Sequence, residues 1–177
     1  LCYLDLDQFK EVNELSGHHV GDKLLSEVAD TLLHNLGRRG VIARLGGDEF
    51  SLLLEDTNAD QAVSVAQYIV QLLEGIGFVV GERRHRVTAS IGIALFPTHG
   101  NTPTDLMASA DVAMYKAKES GLQHWHLLSK SENAKDELQE RVYWVERIRN
   151  ALEEDSFELM VQPIMRLEDQ DVKHHEV

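Results

Sequence analysis

The segment 46–49 reads Gly-Gly-Asp-Glu between two apolar runs, and it constrains the fold of this 177-residue sequence more than any other feature. The runs cover residues 41–43 and 50–54, so the whole segment is typical of a β-hairpin with two acids at its tip. Glycine tolerates a positive φ and lacks a Cβ, which lets a ligand come close to the backbone there. An ordinary solvated hairpin turn has the same pattern, so the segment taken alone leaves both interpretations open.

A second pair of acids ends the first apolar run of the chain, residues 1–7. Asp5 and Asp7 are two positions apart, so a strand would project both side chains from the same face. They could form a polar strand end, or cap the short helix that follows. Carboxylates that face other carboxylates at a glycine hairpin suit a divalent cation better, because hard oxygen ligands are how Mg²⁺ is usually held.

Apolar residues up to Leu128 alternate between strand spacing and helix spacing. We expect helices over 9–15, from near Lys23 to Gly37, over 59–74 and from 102 to 118, with a glycine-punctuated loop at 16–22. Besides the first run and the hairpin, we expect strands over 78–80, 85–96 and 123–128. This order predicts an α+β fold with a central, mostly antiparallel sheet and helices on one face. In such a sheet Asp5 would meet Asp48 and Glu49.

From residue 131 the sequence changes character, because 131–154 contains no glycine or proline and is densely charged. Its apolar residues recur at intervals of three and four, which predicts a long amphipathic helix. That helix could be a linker, a dimer seam or a segment packed against its own domain. Residues 157–164 then read as the first strand of a new unit. The predicted organisation is a domain over 1–129, a linker helix over 130–155 and the beginning of a second domain over 156–177.

The formal net charge of −13 disfavours nucleic acid or an anionic membrane as the main partner. An anionic substrate stays possible where metal ions and a few lysines neutralise it locally. No apolar stretch approaches the roughly 18 residues of a membrane span, and no signal peptide is visible, so a cytoplasmic domain is expected. The single cysteine, Cys2, is expected to be a buried strand residue. Because the sequence opens inside a strand, we expect further chain upstream.

Several ordered motifs together resemble the GGDEF diguanylate cyclases over residues 1 to about 128. The tail 148–177 is similar to the start of an EAL phosphodiesterase domain, with 157–164 as its opening strand and Glu176 in a metal-ligand position. The resemblance therefore implies a tandem GGDEF–EAL protein. The residues that carry the GGDEF resemblance are Asp5-Leu6-Asp7-Gln8-Phe9-Lys10, Asn13, Gly17-His18, Gly21-Asp22, the hairpin Gly46-Gly47-Asp48-Glu49-Phe50, and the run 110–118.

The resemblance implies a nucleotidyl cyclase or ferredoxin-like fold of βααββαβ type, here without the family's N-terminal helix. It implies condensation of two GTP into cyclic di-GMP with release of two pyrophosphates, across a homodimer. Two Mg²⁺ ions, or Mn²⁺, would be held by Asp5, the Leu6 carbonyl, Asp48 and Glu49, and the three acids would be the catalytic residues. The implied partners are a fused EAL domain and an upstream sensory domain, in a parent protein that could be membrane-anchored.

The resemblance also implies the substrate-binding residues. Asn13 and Asp22 match the guanine readers, and an aspartate suits guanine because its two oxygens can accept from N1–H and the exocyclic amine. Without the resemblance, Asp22 could equally be the N-cap of a helix starting near Lys23, Asn13 could cap a turn, and the lysines could be solvated. The remaining implied contacts are Phe9 in the substrate site, Lys10 and Lys118 on phosphates, His18 bracing its loop, and Gly46 and Gly47 against the triphosphate.

Two departures from the family pattern bear on activity. Leu122 stands where the family often has a phosphate-binding arginine, which favours the alternative of a catalytically weak GTP-binding domain that regulates an attached phosphodiesterase. The window 37–40 reads Gly-Arg-Arg-Gly in place of the family's Arg-x-x-Asp, so the product-inhibition site is expected to be absent.

Overall fold

A computed structural model of the chain describes residues 1–80, 83–84, 86–121, 124–129, 134–156, 158, 162–165 and 172–176. The chain divides into two compact units, Leu1–Ala134 and Lys135–Val177.

The first unit is built on a five-stranded sheet, with two further short strands beside it. The strands of the unit are β1 (Cys2–Leu6), β2 (Gly40–Gly46), β3 (Glu49–Leu54), β4 (Val79–Val80), β5 (Arg83–Arg84), β6 (Ala89–Ile93) and β7 (Trp125–Leu127). Its helices are α1 (Phe9–Ser16), α2 (His18–Leu36), α3 (Ala59–Glu74) and α4 (Pro103–Ser120). The sheet order is β2-β3-β1-β6-β7, antiparallel except for the β6–β7 pair, and β4 and β5 form a separate ribbon. The predicted α+β fold with a mostly antiparallel sheet is confirmed.

Side-chain alternation along β1 divides the core into two layers. Cys2, Leu4 and Leu6 face the larger cluster, which is shared with α2 and α3. Tyr3 points to the opposite face and packs with residues of α4. The expectation of helices on one face is therefore wrong, because α4 covers the second face of the sheet.

Helix α4 lies directly on β6. A Cβ on Gly92 would come within 1.9 Å of the Ala110 carbonyl oxygen and 2.2 Å of the Met114 nitrogen, so no other residue fits beneath the helix without moving it. Helix α4 begins one residue after the expected start: Thr102 is its N-cap, whose hydroxyl accepts a hydrogen bond from the Asp105 amide at 3.1 Å, and proline occupies the first turn. The helix ends two residues later than expected.

Two predicted boundaries are wrong. The strand expected over 85–96 covers only 89–93, which are buried between the helix layers, and residues 83–84 instead belong to the small ribbon. The loop expected at 16–22 is reduced to Gly17, whose φ of +85° separates α1 from α2. The spacing of apolar residues does not predict where these elements end, because strand pairing and the points at which the chain reverses direction determine their ends. His85 and Gln123, included in predicted strands, lie outside the described residues.

Helix α1 sits on the edge of the first unit. No residue of α1 is fully buried, although Phe9 and Val12 are half-buried against the core. Both of its flanking residues have positive φ, +58° at Gln8 and +85° at Gly17.

The second unit contains α5 (Ala134–Glu153), β8 (Gln162–Met165) and β9 (Val172–Glu176), the two strands pairing antiparallel. The predicted long helix is thus present, and its apolar residues Val145, Ile148 and Leu152 are exposed. The linker and dimer-seam interpretations stay predictions. In the part of the chain that the structure describes, no helix is both long enough and apolar enough to cross a bilayer.

Candidate active site

The acids of β1 and of the glycine hairpin lie side by side. Asp5 stands directly opposite Glu49 in the antiparallel register of β1 and β3. The next residue, Leu6, donates its backbone N–H to the Asp48 carbonyl at 3.2 Å, which fixes the hairpin tip to the end of β1. The expectation that Asp5 would meet Asp48 and Glu49 in the middle of the sheet therefore agrees with the geometry.

Arg44 holds the hairpin tip in shape. Its Nε and Nη2 atoms donate to the Gly47 carbonyl at 3.0 and 2.7 Å. Gly47 has a φ of +52°, and the register between β2 and β3 shifts between Arg44 and Gly46. The sequence interpretation gave Arg44 no role, although a cation just before the turn was the available signal. Gly46 and Gly47 are both exposed, which leaves their backbone accessible.

Lys118, in the last turn of α4, reaches the acids from the second helix layer. Its Nζ lies 2.8 Å from Asp5 Oδ1, with side-chain exposures of 38% and 14%. Burial is the main influence on the Asp5 carboxyl and raises its pKa above the ordinary value. The Lys118 contact opposes this rise, and the neighbouring charges of Asp48 and Glu49 add to it. The neighbouring acids therefore favour an added cation beside Asp5.

Tyr3 is a further site residue that the sequence interpretation missed. It lies two positions before Asp5 on the same face of β1, and its hydroxyl interacts with the Glu49 carboxylate. Burial and the interaction with Glu49 both raise the pKa of the Tyr3 hydroxyl, so it stays protonated. A tyrosine in an apolar strand is normally interpreted as a core residue. Its spacing gives no sign that the hydroxyl belongs to a functional site.

The predicted base-binding residues meet where α1 crosses α2. A Cβ on Gly21 would lie 2.1 Å from Asn13 Oδ1 and 3.1 Å from the Phe9 ring, so this glycine is what lets the two side chains approach α2. Asp22 is exposed beside it. The N-cap alternative for Asp22 is wrong, because α2 begins at His18 and its N-cap position is Gly17.

Two other predicted substrate residues are at the surface. Lys10 is exposed and forms an ion pair with Glu14 at 3.6 Å, an i,i+4 arrangement common on solvated helices. His18 is the exposed first residue of α2. Leu122 lies outside the described residues.

The sequence model of the family described as "Diguanylate cyclase, GGDEF domain" matches residues 1–124. The chain belongs to this family. GGDEF domains in solved structures share the fold of this chain. The GGDEF domain of YfiN (TpbB) from Pseudomonas aeruginosa is 36% identical and superimposes with a TM-score of 0.65, covering 72% of this chain and 80% of that one.

Curated relatives of this GGDEF chain carry both activities of cyclic di-GMP metabolism in their names. The bifunctional diguanylate cyclase/cyclic di-GMP phosphodiesterase MucR of Pseudomonas aeruginosa is 41% identical over 163 residues, 92% of this chain and 23% of MucR. The cyclic di-GMP phosphodiesterase PdeR of Escherichia coli is 38% identical over 167 residues, 92% of this chain and 24% of PdeR. The chain thus spans about a quarter of the length of these relatives. Their names agree with a GGDEF domain followed by an EAL domain.

Diguanylate cyclases of the GGDEF family generally depend on divalent metal ions. The donors of this GGDEF domain fit such an ion in kind, because carboxylate oxygens are hard ligands and Asp5 already faces a cation, the Lys118 ammonium. In their present orientations, no three His, Cys, Asp or Glu side chains among the described residues are grouped so as to hold a metal.

Proposed function

We propose that this GGDEF domain condenses two GTP molecules into cyclic di-GMP, releasing two pyrophosphates. In each of two successive steps, the 3′-hydroxyl oxygen of one nucleotide bonds to the α-phosphorus of the other; the second step closes the ring. Each time the α–β phosphoanhydride bond breaks, pyrophosphate leaves, and the hydroxyl proton passes to solvent. The observation that carries the proposal is the placement of Asp5 opposite Glu49, with the Asp48 backbone bonded to Leu6.

Asp5, Asp48, Glu49 and the Leu6 carbonyl are the groups that would hold magnesium. The chemistry that a magnesium pair supplies in such a site is polarisation of the α-phosphate and a lower pKa for the attacking hydroxyl. The protein's part is to hold these oxygens in place before substrate arrives. Arg44 and Tyr3 support this role, since they fix the hairpin tip and the Glu49 carboxylate.

The triphosphate would lie against Gly46 and Gly47, where the backbone is exposed, with the Lys118 ammonium on the phosphates. The guanine would be read by Asn13 and Asp22, with Phe9 beside them. A carboxylate at Asp22 can accept two hydrogen bonds from guanine and finds no such pair on adenine. We assign Lys10 and His18 secondary roles, on the phosphates and in bracing the α1–α2 junction.

A single site of this kind holds one GTP, so bond formation requires two chains with their substrates antiparallel. We therefore propose a homodimer in the active state, with the two hairpins facing each other. Turnover per chain should rise with protein concentration, because the dimer is the catalytic species.

The test is to incubate the 177-residue chain with GTP and Mg²⁺ and to quantify cyclic di-GMP by chromatography. Asp48→Asn keeps the size of the side chain and removes one ligand charge, so turnover should fall about 100-fold or more while the circular dichroism spectrum is unchanged. Asp105→Asn, at the far end of α4, is the matched carboxylate control. Unchanged product formation in Asp48→Asn would remove the metal role of this residue.

A second candidate function is a GTP-binding domain that regulates an attached EAL phosphodiesterase without catalysis of its own. It is supported by the similarity to PdeR, which is named as a phosphodiesterase, and by Leu122 in place of the family's arginine. Measuring GTP affinity beside turnover separates the two functions: tight GTP binding without product would favour regulation.

A further inference from the structure

Asp7 has the best-defined side-chain contacts at the end of β1, and the proposed function gives it no task. The Ser90 hydroxyl donates to Asp7 Oδ1 at 2.8 Å, and His124 Nδ1 lies 3.5 Å from Asp7 Oδ2. The Asp7 amide donates to the Thr88 carbonyl at 2.9 Å. Ser90 is only 3% exposed, so its hydroxyl depends on this partner. Both oxygens of the Asp7 carboxylate therefore face protein groups.

These contacts tie together the chain on either side of the α4–β7 connection. Lys118, in the last turn of α4, pairs with Asp5, and His124, just before β7, pairs with Asp7. The His124 carbonyl also accepts the Ile91 amide at 2.9 Å, so His124 is attached to the sheet through its backbone as well as its side chain. Asp5, in β1, and Asp7, just after it, thus contact one residue on each side of the α4–β7 connection.

We propose that Asp7 is a positioning residue for GTP binding, which anchors His124, just before β7, so that Lys118, at the end of α4, stays over the phosphates. The inference rests on the proposed function, in which Lys118 exchanges Asp5 for a substrate phosphate. Once that exchange occurs, the Asp5 contact no longer restrains the end of α4. The contact between His124 and Asp7, just after β1, then remains as a side-chain restraint. A long lysine side chain loses considerable rotamer entropy when it is held, so anchoring its backbone lowers the cost of placing the ammonium.

The prediction is tested by a double-mutant cycle on nucleotide affinity, measured calorimetrically with Mg²⁺ on the whole chain. Asp7→Ala should weaken GTP binding about three- to tenfold and leave GMP binding nearly unchanged, because the lost contact involves the terminal phosphates. Lys118→Met should show the same pattern. The double variant should bind GTP no worse than Lys118→Met alone, since Asp7 acts through Lys118.

Two further variants separate positioning from folding. Asp7→Asn keeps an oxygen that can accept from Ser90, so the variant should fold. In either orientation of the amide, His124 faces an uncharged group, an NH₂ or a neutral oxygen, so GTP binding should still weaken. Asp105→Ala removes another carboxylate–hydroxyl contact, to Thr102 at 2.8 Å, on the same helix but about 20 Å from Lys118 along its axis, and should leave GTP affinity unchanged.

Additive losses in the cycle would overturn the inference, because Asp7 would then act independently of Lys118. A shift in the Mg²⁺ concentration for half-maximal GTP binding in Asp7→Asn would also overturn it and make Asp7 a metal ligand. So would wild-type GTP affinity in both Asp7 variants. If the unsubstituted chain failed to bind GTP, the proposed function itself would fail, which is a distinct result.

Discussion

The Lys118 ammonium lies 2.8 Å from the Asp5 carboxylate, although the proposed function assigns one to phosphate and the other to magnesium. Under the proposed function, each group occupies the position that the other's ligand would take. Binding of Mg²⁺ and GTP would then exchange one ion pair for two others, and neither charge would lack a partner beforehand. This exchange keeps two partly buried charges compensated at every stage, which limits the desolvation cost of preparing the site.

Replacing Lys118 with methionine should separate the two halves of that exchange. GTP affinity should fall because a phosphate contact is lost, whereas binding of Mn²⁺ alone should hold or improve because the competing ammonium is gone. Titrating Mn²⁺ by electron paramagnetic resonance and GTP by calorimetry gives both values. Arg147→Met, in the second unit, controls for net charge. Weaker Mn²⁺ binding in Lys118→Met would contradict the exchange.

Asp5→Asn should stabilise the metal-free protein at neutral pH. The pKa of Asp5 is raised in the fold, so its protonated form is the one that the folded state favours. Its contribution to stability is fully present below the ordinary pKa near 3.8 and is lost as the pH rises through the folded pKa. The neutral asparagine avoids that loss.

Urea unfolding of both proteins in a chelating buffer, from pH 3 to 8, measures this difference. The advantage of the variant should disappear toward pH 3, and added Mg²⁺ should stabilise only the wild type. A variant that is less stable than the wild type at pH 7 without metal would show that the Lys118 ion pair outweighs burial.

Tyr3→Phe should lower turnover by releasing the Glu49 carboxylate. The substitution removes one hydroxyl and keeps the aromatic ring in the core, so the fold should persist. Tyr68→Phe is the matched control, since it removes a 3.3 Å hydrogen bond to Asn35 on the other helix layer. We expect a similar melting temperature for the two variants and reduced product formation only for Tyr3→Phe. Equal turnover in both would assign the Tyr3 hydroxyl to stability alone.

Gly21→Ala should weaken GTP binding with little loss of stability. The added Cβ would meet the Asn13 side chain, which can rotate away, and alanine is favoured over glycine within a helix by about 1 kcal/mol. The displaced amide would no longer face the base. Gly92→Ala is the contrasting case, because its Cβ would meet the α4 backbone and should destabilise the protein by roughly 1–3 kcal/mol. Measuring both the KM for GTP and the free energy of unfolding distinguishes the loss of binding expected for Gly21→Ala from the loss of stability expected for Gly92→Ala.

Period-two alternation and the expected order of elements were enough to predict that Asp5 lies beside the hairpin acids, because β1 and the hairpin are short, apolar runs that pair in such a sheet. The second helix layer could not be predicted in this way. Whether α4 crosses to the other face depends on chain reversal after β6 and on the absence of a side chain at Gly92. The roles of Arg44, Tyr3 and Asp7 arise from contacts between elements, and each of these residues has an ordinary local interpretation. Asp22 shows the converse, since its local interpretation as a helix cap disappeared once α2 was seen to begin at His18.

The exposed position of α1 has a consequence for how the two ends of a nucleotide would be sensed. In the proposed binding mode, the phosphate end would contact β1, β3 and α4, which belong to the buried core, whereas the base end would contact a helix that buries no residue completely. Opening of α1 therefore requires little free energy, while opening of the sheet approaches global unfolding. Amide hydrogens of α1 should exchange rapidly in the free protein and become protected when guanine is bound. The stability of this helix would then depend on whether the base site is occupied.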